Sequence, residues 1–181
     1  MPNEPKLRTV NKAKPPYELN KFPPSFVETL GKELVYLMAT KDSYSLEGNE
    51  WEQIFANCIN ATWKPSNVGL DDIILGSCCW GAKTVIASSK NILSQKTVRL
   101  ISGRNSPAYS FEEDNILHQD PNYIGSLVLD IWNERVSAVR QIYKFVRTVV
   151  LIKGKTFDEF MVFETDTVRY DPELYLSLIH I

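Results

Sequence analysis

The stretch from Gly69 to Ala87, GLDDIILGSCCWGAKTVIA, decides how this chain is read. Two acids, Asp71 and Asp72, precede Ile73-Ile74-Leu75, whose β-branched, apolar character predicts a short strand. Gly76-Ser77 then supplies turn chemistry, and the residues from Trp80 to Ala87 predict a second strand. A chain that doubles back in this way brings the start of the first strand beside the body of the second. Asp72 and Lys83 therefore become neighbours on one hairpin.

Working outward, Thr97 to Ile101 predicts a third strand, and Ser102 to Gln119 a long loop of the kind that usually binds something or is disordered. Asp120-Pro121 opens a long helix, with Asp as N-cap and Pro in the first turn. Its apolar stripe runs through Ile124, Leu127, Val128, Ile131, Ala138, Val139 and Ile142. Arg135 lies near that stripe, which predicts a buried or half-buried partner, a carboxylate among the candidates. Val146 to Ile152 is strongly β-branched and predicts a further strand, Lys153-Gly154-Lys155 a turn, and Phe160 to Phe163 another strand.

Upstream of the hairpin, Ser25 with Glu28 has capping-box spacing and predicts a helix on Phe26, Leu30, Leu34, Leu37 and Met38. A second helix is expected at about Asn49 to Thr62, with Trp51, Ile54, Phe55, Cys58, Ile59 and Thr62 on one stripe. Residues 1–23 hold five prolines and scattered lysines and read as an extended arm. The order is α-β-β-β-α-β-β: an α/β fold, a mixed sheet flanked by helices, in one domain over residues 24–175.

Composition narrows the class. The 181 residues are 44% hydrophobic and 11% aromatic, enough for a real core and unlike a disordered chain. No apolar run reaches the ~18 residues of a membrane span, so no membrane partner is expected. Cys58, Cys78 and Cys79 form no CxxC and have no neighbouring histidine, which fits reduced thiols in a cytoplasm. The formal net charge of −2 is unevenly spread. Ile73 to Phe111 holds no acid but has Lys83, Lys90, Lys96, Arg99 and Arg104. Arg135 to Phe157 is likewise acid-free and basic. Such segregation predicts a basic face suited to a phosphate backbone.

In layout the chain resembles the PD-(D/E)XK nucleases, whose core is αβββαβ. Phosphodiester hydrolysis needs a divalent cation, a polarised water and fixed geometry for both. Magnesium accepts a few carboxylate oxygens and keeps several waters. Asp72 at the first strand and Lys83 on the second meet the requirement for a metal-binding acid and a water-positioning lysine. In the nuclease motif the residue before the lysine lends its carbonyl to the metal, which implies Ala82. The motif's second acid would stand two residues before the lysine, and that position is Gly81. Either the site is decayed or the carboxylate has moved. On the preceding helix, with Trp51 at zero and about 100° per residue, Glu52 falls near ~100°, at the border of the buried stripe. Glu52 is thus the candidate migrated ligand. Glu50, near ~260° on the other border, is second choice and is expected to be exposed.

A closer resemblance, to a group of type II restriction endonucleases, rests on segments in matching order. These are Gly48-Asn49-Glu50-Trp51-Glu52, Gly69-Leu70-Asp71-Asp72, Trp80-Gly81-Ala82-Lys83-Thr84-Val85 and Ser102-Gly103-Arg104-Asn105-Ser106-Pro107. They continue with Ile131-Trp132-Asn133-Glu134-Arg135 and Arg147-Thr148-Val149-Val150-Leu151-Ile152, followed by Phe163-Glu164. The resemblance implies Mg2+-dependent cleavage of a short double-stranded DNA site by a homodimer. Independently of it, Ser102, Arg104 and Asn105 carry side chains of the types that read guanine and adenine edges or, equally, contact phosphate. Residues 176–181 read LSLIHI, which is also the translation of a transposase adapter, CTGTCTCTTATACACATC; a chain cut at about Tyr175 is the expectation. Two rival functions share these residues: a repair or recombination nuclease, and a non-catalytic DNA-binding module with a decayed site.

Overall fold

The structure is a computed structural model that describes residues 13–41, 45–66, 68–88, 91–98, 100, 106–111 and 119–175. Two helices come first, α1 (Phe26–Thr40) and α2 (Gly48–Cys58), then strands β1 (Thr62–Trp63), β2 (Ile73–Leu75) and β3 (Cys78–Ile86). After a 3-10 turn at Ile92–Ser94 come α3 (Pro107–Phe111), α4 (Pro121–Ile142), β4 (Phe145–Lys153), β5 (Phe160–Asp166) and α5 (Pro172–Tyr175).

The strands form one five-stranded mixed sheet in the order β1-β2-β3-β4-β5. All pairs are antiparallel except β3 with β4, and the parallel pair is joined by the crossover containing α4. β4 is buried along nearly its whole length, as a central strand covered on both faces must be, and its Val-Val-Leu-Ile run supplies the side chains for that. Alternation along β3 then sorts the core into two layers. Cys78, Trp80 and Ala82 join Phe26, Leu30, Trp51 and Phe55 from α1 and α2. Cys79 joins Leu70, Val146 and, from α4, Val136 and Val139.

The hairpin follows its sequence closely. Leu75 faces Cys78 across Gly76-Ser77, and Gly76 has φ 60°, the conformation a two-residue hairpin turn with leading glycine requires. At α4, the Asp120 carboxylate accepts from Asn122 N (2.9 Å) and Tyr123 N (3.2 Å), with Pro121 next in line.

Three local expectations are corrected. Ser25 precedes α1 in a helical conformation and makes no side-chain cap, and Glu28 pairs with Lys32 at 2.6 Å. The second helix starts one residue earlier than expected and stops at Cys58, because Asn60 turns left-handed (φ 54°) and Ala61 N donates back to Ala56 O at 2.9 Å. Thr62, placed by its spacing on the helix stripe, instead begins β1. Thr97, Val98 and Leu100 lie in no strand; Val98 spends its apolar side chain on the cluster of Ala87, Ile92 and Val150.

The segment 13–23 forms neither helix nor strand, yet it is pinned to the sheet. Asn20 Oδ1 accepts from Glu164 N (2.6 Å) and Asn20 Nδ2 donates to Glu164 O (3.0 Å), imitating a strand partner at β5. Beneath it lies a buried polar cluster. The Glu164 carboxylate accepts from Tyr17 Oη (2.7 Å), Trp80 Nε1 (2.6 Å) and Arg147 Nη1 (3.2 Å). Burial, and secondly the Glu164 charge, push the Tyr17 phenol far up, so it remains a donor.

Candidate active site

Extending the hairpin register by one residue beyond Ile73–Trp80 sets Asp72 opposite Gly81, hence on one face with Lys83 two residues on. Asp72 and Lys83 line a common cavity of about 370 Å³, together with Glu52 from α2, Asn49, Ser66, Gly69 and Arg135. Three elements far apart in sequence thus meet at one hollow beside the β1–β2 edge.

Each acid is held by its own donors. Asp72 is buried, and its Oδ1 accepts from Ser66 N at 2.9 Å. Neighbouring Asp71 accepts from Ser66 Oγ at 2.5 Å, and that hydroxyl in turn accepts from Gly69 N at 3.0 Å, so the loop before β2 is knotted around the aspartates. Glu52 is half-buried and accepts from Trp63 Nε1 of β1 at 3.1 Å.

Glu50 is occupied elsewhere. It receives Glu47 N at 2.7 Å in a reciprocal capping box and Lys41 Nζ at 2.7 and 2.9 Å, and it lines a different hollow with Glu33 and Asn57. Burial opposes its ionisation, but the Glu47 N–H and the Lys41 ammonium outweigh that and hold the carboxyl below its ordinary range. It is half-buried rather than exposed, which corrects the expectation for it.

Gly81 has a steric cause. A Cβ there would stand 2.9 Å from Gly69 O and 3.0 Å from Leu70 Cα, both backbone atoms. No acid fits at this position while the 69–70 loop packs against β3. Ala82 is buried on the α1/α2 side, and its side chain joins the core cluster there.

The sequence missed the fourth charged wall. Arg135 of α4 donates Nε to Val68 O at 3.0 Å, and Nη2 to the same carbonyl, so a main-chain oxygen is among its partners. The signal was its position beside the apolar stripe; what could not be read was which loop that stripe would face.

Not all of the basic second segment reaches the surface. Arg147 is buried against Glu164, and Lys153 is buried with its Nζ 2.8 Å from Leu46 O. Arg140 donates to Thr167 O at 2.8 Å. Ser102, Arg104 and Asn105 lie outside the described residues, as do His118, His180 and residues 176–181. The cysteines are buried; burial, the main cause, pushes the thiols of Cys58 and Cys78 up to about 12, and that of Cys79 higher still, away from thiolate chemistry.

Among the described residues, no group of three or more His, Cys, Asp or Glu is placed to hold a metal. The cavity's two carboxylates are a small donor set, of the size that suits magnesium, which takes one or two carboxylates and fills its octahedron with water and phosphate oxygens. No helix among the described residues is long and apolar enough to cross a membrane. Comparison with protein-family models finds no match, and neither does comparison with curated proteins or with solved structures.

Proposed function

We propose that this chain hydrolyses phosphodiester bonds of double-stranded DNA with Mg2+, as a site-specific endonuclease of the type II restriction kind. The observation that carries the reading is the convergence of Asp72, Glu52 and Lys83 on one cavity. The order α2, β1–β2–β3, α4, β4 supports an αβββαβ, restriction-endonuclease-like core, with β1 as its first strand.

In this reading Asp72 and Glu52 hold the ion, with the Ala82 carbonyl as a further ligand implied by the motif. Magnesium, when bound, neutralises charge that develops on the phosphate and polarises water. Lys83 orients the attacking water, whose oxygen forms the new bond to phosphorus as the bond to the leaving sugar oxygen breaks. Trp63 and Ser66 hold the two carboxylates in place through their N–H groups. Action as a homodimer in the cytoplasm belongs to the same proposal.

One observation favours the decayed-site alternative: Gly81 stands where the motif has its second acid, packed so closely on Gly69 and Leu70 that no carboxylate fits there. A single experiment separates the readings. Wild type and Asp72→Ala are incubated with supercoiled plasmid in Mg2+ and in EDTA, and duplex binding is measured alongside. The expected result is Mg2+-dependent fragmentation by wild type, at least about 100-fold slower in the variant, with binding retained. Binding without cleavage by wild type would establish the decayed site, and residual cutting within tenfold in the variant would move the metal elsewhere.

A further inference from the structure

The acid cavity needs a cation that can face a phosphate past two carboxylates, and three of the six basic residues of the 135–157 segment have partners away from it. Arg147 serves Glu164, Arg140 the Thr167 carbonyl and Lys153 the Leu46 carbonyl. Arg135 alone of these four lines the cavity of Asp72, Glu52 and Lys83. It also walls the adjoining hollow of about 650 Å³ between α3 and α4, so Arg135 borders both spaces.

Its placement is tied to the acids. The Val68 carbonyl that receives Nε belongs to the same β1–β2 connection whose Ser66 N–H holds Asp72. Helix α4 and the aspartate loop are thereby set in one geometry. A guanidinium keeps its charge beside any neighbour, and its planar fork matches two oxygens of a phosphate. A guanidinium in this cavity also adds positive charge beside the two carboxylates, where a phosphate would have to approach.

We infer that Arg135 contacts a non-bridging phosphate oxygen of duplex DNA in this cavity, an inference that rests on the nuclease reading. The contact supplies substrate binding that is independent of the metal.

The test is the binding, without divalent metal, of a random-sequence duplex of about 30 base pairs, followed by fluorescence anisotropy between about 50 and 200 mM salt. Arg135→Gln can still donate to the Val68 carbonyl but lacks the charge. It should flatten the dependence of log affinity on log salt by about one. Arg135→Lys should keep the slope and lose several-fold in affinity, because a point charge replaces the fork. A purely structural role would lower the melting temperature and leave the slope of the folded protein unchanged; that outcome overturns the contact. Should Arg135→Gln fail to fold, Arg135→Lys decides alone, and wild-type affinity in it sinks the proposal. If wild type binds no duplex at all, the nuclease reading falls and the contact with it; if wild type binds and the variants match it, only the contact falls.

Discussion

At position 81 a hydrogen atom stands where the nuclease pattern has a carboxylate, and the backbone of Gly69 and Leu70 explains why. Restoring the acid is therefore a sharp test. Gly81→Asp should destabilise the protein by about 1–3 kcal/mol, because side-chain atoms must displace backbone rather than a flexible neighbour. Urea denaturation reads that cost, and cleavage should fall, not rise. A stable Gly81→Asp variant with enhanced cutting would show that the loop yields easily and that the acid had been lost for another reason.

The two glutamates of α2 divide in the same way. Glu52→Gln should weaken Mg2+ binding, read by calorimetry, with little change in stability. Glu50→Gln should leave metal binding intact and lower stability by roughly 0.5–1 kcal/mol through the lost Lys41 pair. Its pH dependence has a definite sign. The folded carboxyl lies below its ordinary range, so its contribution is fully present above the unfolded value of about 4.3 and fades as pH falls through the folded one. Wild type and Glu50→Gln should thus differ at pH 7 and converge near pH 3. A difference that persists there would mean that the cap, and not the charge, carries the effect. The helical wheel had separated Glu52 from Glu50 by about 160° around the axis but could not rank their partners, since Lys41 and Trp63 reach them through the tertiary fold.

Among the elements, the hairpin, α4 and the strands β4 and β5 were legible, while β1 and the strandless Thr97, Val98 and Leu100 were not. The hairpin announced itself through Gly76-Ser77, and α4 through Asp120-Pro121, because turn and cap residues act within a few positions of themselves. β1 was hidden because Thr62 continues the α2 stripe in spacing, and only the left-handed Asn60 breaks the helix before it. The reverse held at Val98, whose apolar side chain needed burial but no ladder. The segment 13–23 was the least legible, since its order comes from Glu164, more than 140 positions away. That cluster makes its own prediction. Glu164→Gln leaves the buried Arg147 guanidinium without its counter-charge and should cost about 3–5 kcal/mol. Thermal melting should drop by roughly 10 °C or more. A loss under about 1 kcal/mol would show that Tyr17 and Trp80 carry the site without the ion pair.

Across the whole molecule, linear charge and surface charge diverge. The net charge of −2 and the acid-free segments suggested one basic face, yet Arg147 and Lys153 are interior residues. A run of basic residues on a strand with both faces covered must turn some of them inward, and there each needs an acceptor: Glu164 for one, the Leu46 carbonyl for the other. Sequence shows how many charges a segment has; burial decides how many a polyanion can meet. The exposed Lys64 directly precedes Pro65 and Ser66, which line the acid cavity, and is not under that constraint. Lys64→Gln should therefore reduce the salt dependence of duplex binding by about one unit of slope, at unchanged melting temperature. Lys153→Met should do the opposite. Its slope should match wild type, because Nζ never reaches DNA, while stability changes, since the Leu46 carbonyl loses its donor and the desolvated ammonium is removed together with it. Equal slopes for wild type and Lys64→Gln, or a flattened slope for Lys153→Met, would place the DNA path on a different side of the sheet.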